Sequence, residues 1–184
     1  VAFELAAAFA LMATPAPSLN AAPTLDAFEA VLSRHDSATL ALEEWCAARG
    51  LGDPARITAH LVQGADQPAP DDIRTVLAIG HGDTVSLRNV RLNCGAKVLS
   101  VAWNWYVAER LTPAMNAALG STDIPFGKAV AALQFRRKPL STVAGAAANC
   151  PPETISTHQA MLLLPDGRPL AYLVECYTAA NLEP

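Results

Sequence analysis

The spacing of apolar positions changes character along the chain. From Leu25 to Arg34 the pattern is helical, with Leu25, Phe28, Val31 and Leu32 on one face. A second helix is predicted from Ser37 at the N-cap to Arg49, with Leu42, Trp45, Cys46 and Arg49 at helical spacing and Gly50 as its stop. Arg56 to Val62 reads as a strand, and Gln67-Pro68-Ala69-Pro70 as a loop into a short helix from Asp71 to Leu77. Alternation then takes over. Val85 to Cys94 and Val98 to Tyr106 flank the turn Gly95-Ala96-Lys97, which is the spacing of a hairpin. Thr112 precedes Pro113, the favoured first residue of a helix. Gln134 to Arg137 is a candidate strand, and the biased stretch Ala144 to Pro152 a loop. A last hairpin pairs Ile155 to Leu164 with Pro169 to Tyr177 through Pro165-Asp166-Gly167-Arg168, because Asp-Gly tolerates the positive φ of a tight turn. No internal repeat is present. The sum predicts an α+β fold, an antiparallel sheet of five to six strands with helices packed on one face.

Ahead of these elements, Leu5 to Ala22 is an apolar run followed by small residues and prolines. It reads as the core and cleavage zone of an export leader, although no Lys or Arg precedes it. Residues 1–22 are therefore set apart from a domain at 23–184. A periplasmic or secreted location is expected, with a cytoplasmic one as the alternative. The run is too short and too proline-rich to span a bilayer.

Composition narrows the partners. The 184 residues suit one domain with its own core, and 52% apolar against 16% charged residues describes a globular chain. A net charge of −4 without a basic run argues against nucleic acid; Arg136, Arg137 and Lys138 read as a solvated strand end. His35, His60, His81 and His158 lack ligand spacing and no two cysteines are spaced CxxC, so no metal is expected. Cys46, Cys94, Cys150 and Cys176 could form one or two disulfides, with three complete connectivities, or remain buried thiols. A monomer is expected.

Two charges stand out against the alternation. Arg88 shares a strand face with Val90 and Leu92, while Arg91 lies on the other with Asn89 and Asn93. Glu175 shares a face with Ala171, Leu173 and Tyr177, and the opposite face is no more polar. Inward charges cost several kcal/mol unless partnered. Arg88 and Glu175 could therefore pair with each other, or line a cavity in which the guanidinium grips a carboxylate.

Several segments in order carry a resemblance. They are Asp36-Ser37-Ala38-Thr39, Leu87-Arg88-Asn89-Val90-Arg91-Leu92, Trp103-Asn104-Trp105-Tyr106, Arg110-Leu111-Thr112-Pro113, Thr122-Asp123-Ile124-Pro125-Phe126-Gly127-Lys128 and Leu173-Val174-Glu175-Cys176-Tyr177. Over about residues 30 to 180 the chain resembles the chorismate pyruvate-lyase-like family, and in particular an exported branch of it. The resemblance implies a buried site that eliminates pyruvate from chorismate, or a related carboxylated ring ether, with no cofactor. In that site Arg88 would clamp a substrate carboxylate, Glu175 would protonate the leaving ether, and the backbone N–H groups of Ala38 and Phe126 would hold the ring carboxylate. It also implies a Cys46–Cys94 disulfide if the protein is exported. Trp103, Trp105 and Tyr106 are expected to pack, and Asn104 is ambiguous. The same fold serves as a ligand-sensing module of bacterial regulators, so a non-catalytic binding domain for a small aromatic carboxylate is the alternative. The residues before Arg88 are not basic, which makes a regulator the least expected variant.

Overall fold

A computed structural model describes residues 22–62, 69–147 and 149–183. The leader-like run up to residue 21 lies outside them. Six strands form one antiparallel sheet in the order β1-β2-β3-β6-β5-β4. They are β1 (Ile57–Leu61), β2 (Val85–Cys94), β3 (Lys97–Val107), β4 (Arg136–Ala144), β5 (Thr154–Leu163) and β6 (Pro169–Thr178). Two sequential three-stranded meanders are thus joined edge to edge where β3 pairs with β6. Both hairpin turns carry the glycine that positive φ requires, Gly95 at 55° and Gly167 at 84°.

Strand alternation gives the sheet two faces. The first carries Ala102, Asn104 and Tyr106 of β3 opposite Glu175, Leu173 and Ala171 of β6. It is covered by α1 (Leu25–Leu32), α2 (Ala38–Arg49), α4 (Pro113–Ser121) and α5 (Phe126–Ala129). Phe28 is fully buried between Trp45 and Tyr177, with ring centroids 5.2 and 5.3 Å away. The four-residue α3 (Ile73–Val76) lies against the other face, where Ile73 and Leu77 pack with Trp103, Trp105 and Met161. Trp103, Trp105 and Tyr106 are therefore packing residues. Disulfides join Cys46 to Cys94, pinning α2 to the end of β2, and Cys150 to Cys176, pinning the loop before β5 to β6. Among the described residues no helix is long and apolar enough to cross a membrane.

Several boundaries differ from the sequence pattern, among them the end of α1 and both ends of β4. The first helix stops at Leu32, after which Arg34 and His35 donate to carbonyls three residues back. Gln134 takes the left-handed conformation at φ 52° and closes a short 3-10 turn, so β4 begins at Arg136. That strand then continues across Pro139 to Ala144. An edge position tolerates a proline whose missing N–H has no ladder partner to serve.

Candidate functional site

The N-terminal turn of α2 meets α5 above the first face of the sheet. Lys128 of α5 pairs with Glu43 of α2 at 2.5 Å, and Glu43 also accepts from the Ile57 N–H at 3.1 Å. The approach is so close that a Cβ on Gly127 would sit 2.5 Å from Ser37 Oγ, which only a residue without a side chain permits. Phe126 packs on Tyr106 with ring centroids 5.2 Å apart. Beneath this junction is a small cavity. Its roof is Ser37, Ala38, Thr39, Phe126 and Gly127, its floor Val90, Ala102, Asn104 and Leu173, and its outer wall Asp36, Arg137 and Glu175.

Ser37 holds the N-cap position of α2 in extended backbone, but its side chain makes no capping hydrogen bond. Its hydroxyl is buried and without a hydrogen-bond partner. An unpaired hydroxyl beside the first N–H groups of a twelve-residue helix is a pair of donors of the kind that anions use.

Glu175 and Arg137 form a bidentate pair, Arg137 Nη1 donating to Oε1 at 3.2 Å and Nη2 to Oε2. Their side chains are only 5% and 10% exposed. Tyr177 donates its hydroxyl to Glu175 Oε2 at 3.0 Å. Burial opposes the charge on Arg137, yet the adjacent Glu175 carboxylate outweighs it and holds the guanidinium above its ordinary pKa. Burial, and then the same carboxylate, pushes the Tyr177 phenol well up, so it remains a donor. The Arg137 backbone N–H also donates to Asp36 Oδ1 at 2.9 Å, fastening β4 to the turn before α2.

The structure brings together Ala38, Phe126 and Glu175 from the sequence expectation, and places Arg88 elsewhere. Arg88 is buried behind the floor, outside the residues that line the cavity. It donates through Nε to the Leu119 carbonyl at 3.1 Å and through Nη2 to the Ile124 carbonyl at 2.9 Å. It thereby staples the α4–α5 connection that carries Phe126, and burial lowers its pKa. The ion pair imagined between Arg88 and Glu175 is absent; Glu175 has Arg137 instead. Arg137 is the residue that sequence reasoning missed, because Arg136-Arg137-Lys138 looks like a solvated run. The available signal was the strand period, since Arg136 and Lys138 point to solvent while Arg137 between them turns inward.

A second depression of about 250 Å³ lies on the far side of Arg137, lined by polar residues including Glu29, Ser141, His158 and Gln159. Arg137 and Asp36 belong to both spaces. His158 bonds Glu29 at 2.9 Å and stacks edge-on against Tyr177.

Solved structures share this architecture. PhnF from Mycobacterium smegmatis superposes with a TM-score of 0.56 at 14% identity, over 81% of this chain and 66% of that one. The effector domain of the same protein gives 0.52 at 16% identity, over 78% and 89%. A chain from Bordetella bronchiseptica, described as the ligand-binding domain of a GntR-family transcriptional regulator, gives 0.50 at 16% identity, over 67% and 83%. At such identities the likeness establishes the fold, an α+β antiparallel sheet of the chorismate-lyase-like type. No family model matches the chain. The uncharacterized protein y4mC of Sinorhizobium fredii (strain NBRC 101917 / NGR234) is 39% identical over 184 residues, spanning 90% of this chain and 78% of its own. With a third of positions and more shared across most of both sequences, this chain belongs to the family of y4mC.

Proposed function

We propose that this domain binds a small carboxylate-bearing molecule and does not turn it over. The observation that carries the reading is the buried, partnerless Ser37 hydroxyl at the N-terminal turn of α2, facing a cavity of mixed lining, apolar at Val90, Ala102, Phe126 and Leu173 and charged along its outer wall. Apolar surface beside a few convergent polar groups is what a small-ligand site needs, and the helix end supplies donors for a carboxylate. The fold shared with domains described as ligand-binding and effector domains supports the same reading.

The elimination chemistry implied by the family resemblance requires Glu175 to donate a proton and Arg88 to hold developing charge. Here both Glu175 oxygens accept hydrogen bonds, from Arg137 and Tyr177, and Arg88 lies outside the cavity with its Nε and Nη2 on two carbonyls. That division of roles supports binding over catalysis.

The test is calorimetric titration with benzoate and 4-hydroxybenzoate, beside an assay of pyruvate release from chorismate. The expected result is saturable one-to-one binding, weakened about 10- to 100-fold in Ser37→Ala by loss of one hydrogen bond to a charged group, with no pyruvate formed. Pyruvate release proportional to protein concentration would overturn the reading.

A further inference from the structure

The cavity as it stands is smaller than any ligand of the proposed class. Its free volume is about 30 Å³, room for about one or two waters, so an aromatic ring enters only if part of the wall moves. The floor belongs to the interior strands β2, β3 and β6, and α2 is fixed by Leu42, Trp45 and the Glu43–Lys128 pair. Arg137 is different. It is the longest side chain of the wall, it comes from an edge strand, and the depression of about 250 Å³ lies directly behind it. Because Arg137 lines both spaces, an outward swing of its guanidinium would join them, toward the second space that Asp36 and Glu29 line.

That movement strips Glu175 of its cation. The carboxylate is then buried with the Tyr177 hydroxyl as its remaining partner, and a buried carboxylate without a counter-charge is strongly disfavoured. An occupant that brings only a carboxylate meets that cost in full. One that also brings a protonated nitrogen removes it.

We propose that the natural ligand is a compact zwitterion: its carboxylate sits at Ser37 and the first turn of α2, and its cationic nitrogen replaces the Arg137 guanidinium on Glu175. Arg137 is the gate that the ligand displaces. The proposal rests on the binding reading above and adds the ligand's second charge to it.

Four probes separate the two: benzoate, 4-hydroxybenzoate, benzylamine and 4-(aminomethyl)benzoate, titrated calorimetrically at pH 7 into the full chain. The zwitterion is expected to bind at least about tenfold tighter than each of the other three. In Glu175→Gln that advantage disappears, because no carboxylate is stranded when Arg137 moves and benzoate tightens toward the zwitterion. In Arg137→Met, where the competing cation is gone, the zwitterion binds tighter than to wild type. The double variant Arg137→Met/Glu175→Gln carries neither buried charge and is expected to match Glu175→Gln in its ranking, which covers poor folding of either single variant. Benzoate or 4-hydroxybenzoate binding as tightly as the zwitterion overturns the proposal and leaves the binding reading intact. A zwitterion affinity that falls in Arg137→Met also overturns it, because Arg137 would then be a ligand contact and not a gate. Absence of saturable binding by all four probes overturns both.

Discussion

Replacing Arg137 by methionine isolates the energetics of the wall. The substitution keeps most of the aliphatic length and removes the guanidinium, leaving Glu175 buried beside Tyr177. Deleting one partner of a buried ion pair costs about 3–5 kcal/mol, because the remaining charge is uncompensated. With the two side chains 10% and 5% exposed, solvent offers little relief. The Tyr177 hydroxyl, 3.0 Å from Oε2, stays in place, and a hydrogen bond to a charged acceptor is worth about 1.5–3 kcal/mol. The loss therefore falls at the lower end, about 3 kcal/mol. For a chain of this size each kcal/mol moves the melting temperature by about 2–4 °C, so the midpoint drops by about 6–12 °C. Adding Glu175→Gln to Arg137→Met removes the stranded charge and restores about 2 kcal/mol of that loss. Urea unfolding of wild type, both singles and the double closes the cycle. Single losses below about 1 kcal/mol that simply add would refute the reasoning, since independent sites show no coupling.

Four further outcomes follow from the same geometry. Arg88→Met leaves the Leu119 and Ile124 carbonyls without their donor and should cost about 2–4 kcal/mol by urea unfolding even without ligand; a melt like that of wild type would show that the staple is not structural. Gly127→Ala drives a methyl into the Ser37 hydroxyl and should cost about 1–3 kcal/mol as overpacking, read by thermal melt. Replacing both cysteines of a bridge by serine should cost about 4 kcal/mol for Cys46–Cys94, separated by 48 residues, and about 3.5 kcal/mol for Cys150–Cys176, separated by 26, from loop entropy alone; an equal melt before and after reduction would contradict this. The raised Tyr177 pKa means that its contribution is intact below the unfolded value near 10 and is lost as pH rises from there toward the folded value. Wild type should then lose about 1.4 kcal/mol per pH unit more than Tyr177→Phe in alkaline unfolding titrations, and parallel curves would contradict the assignment.

What could be read from the sequence was local. Helical spacing located α1 and α2, alternation located β2, β3, β5 and β6, and glycine at φ-positive turns located both hairpins, because each signal lies within a few residues. The same alternation turned Arg88 and Glu175 inward, and both are buried. It could not say which partner each would meet, since that depends on the pairing of β3 with β6 and on β4 returning to the far edge. Arg137 was lost for a related reason: its neighbours Arg136 and Lys138 are solvated, and only the register of β4 against β5, with Arg137 opposite Leu162, assigns it to the site face. Ser37 shows a subtler limit. Its N-cap position was legible, but neither the missing cap bond of its hydroxyl nor the close approach of Gly127 is encoded in a local pattern.

The central claim is that the first turn of α2 and Ser37 receive a carboxylate. Amide resonances of the ¹⁵N-labelled protein, titrated with 4-(aminomethyl)benzoate and with benzoate, test it most directly. The account predicts saturable shifts centred on the Ala38 and Thr39 amides, largely lost in Ser37→Ala. Saturable shifts that leave those two amides unmoved and cluster on another surface would contradict it.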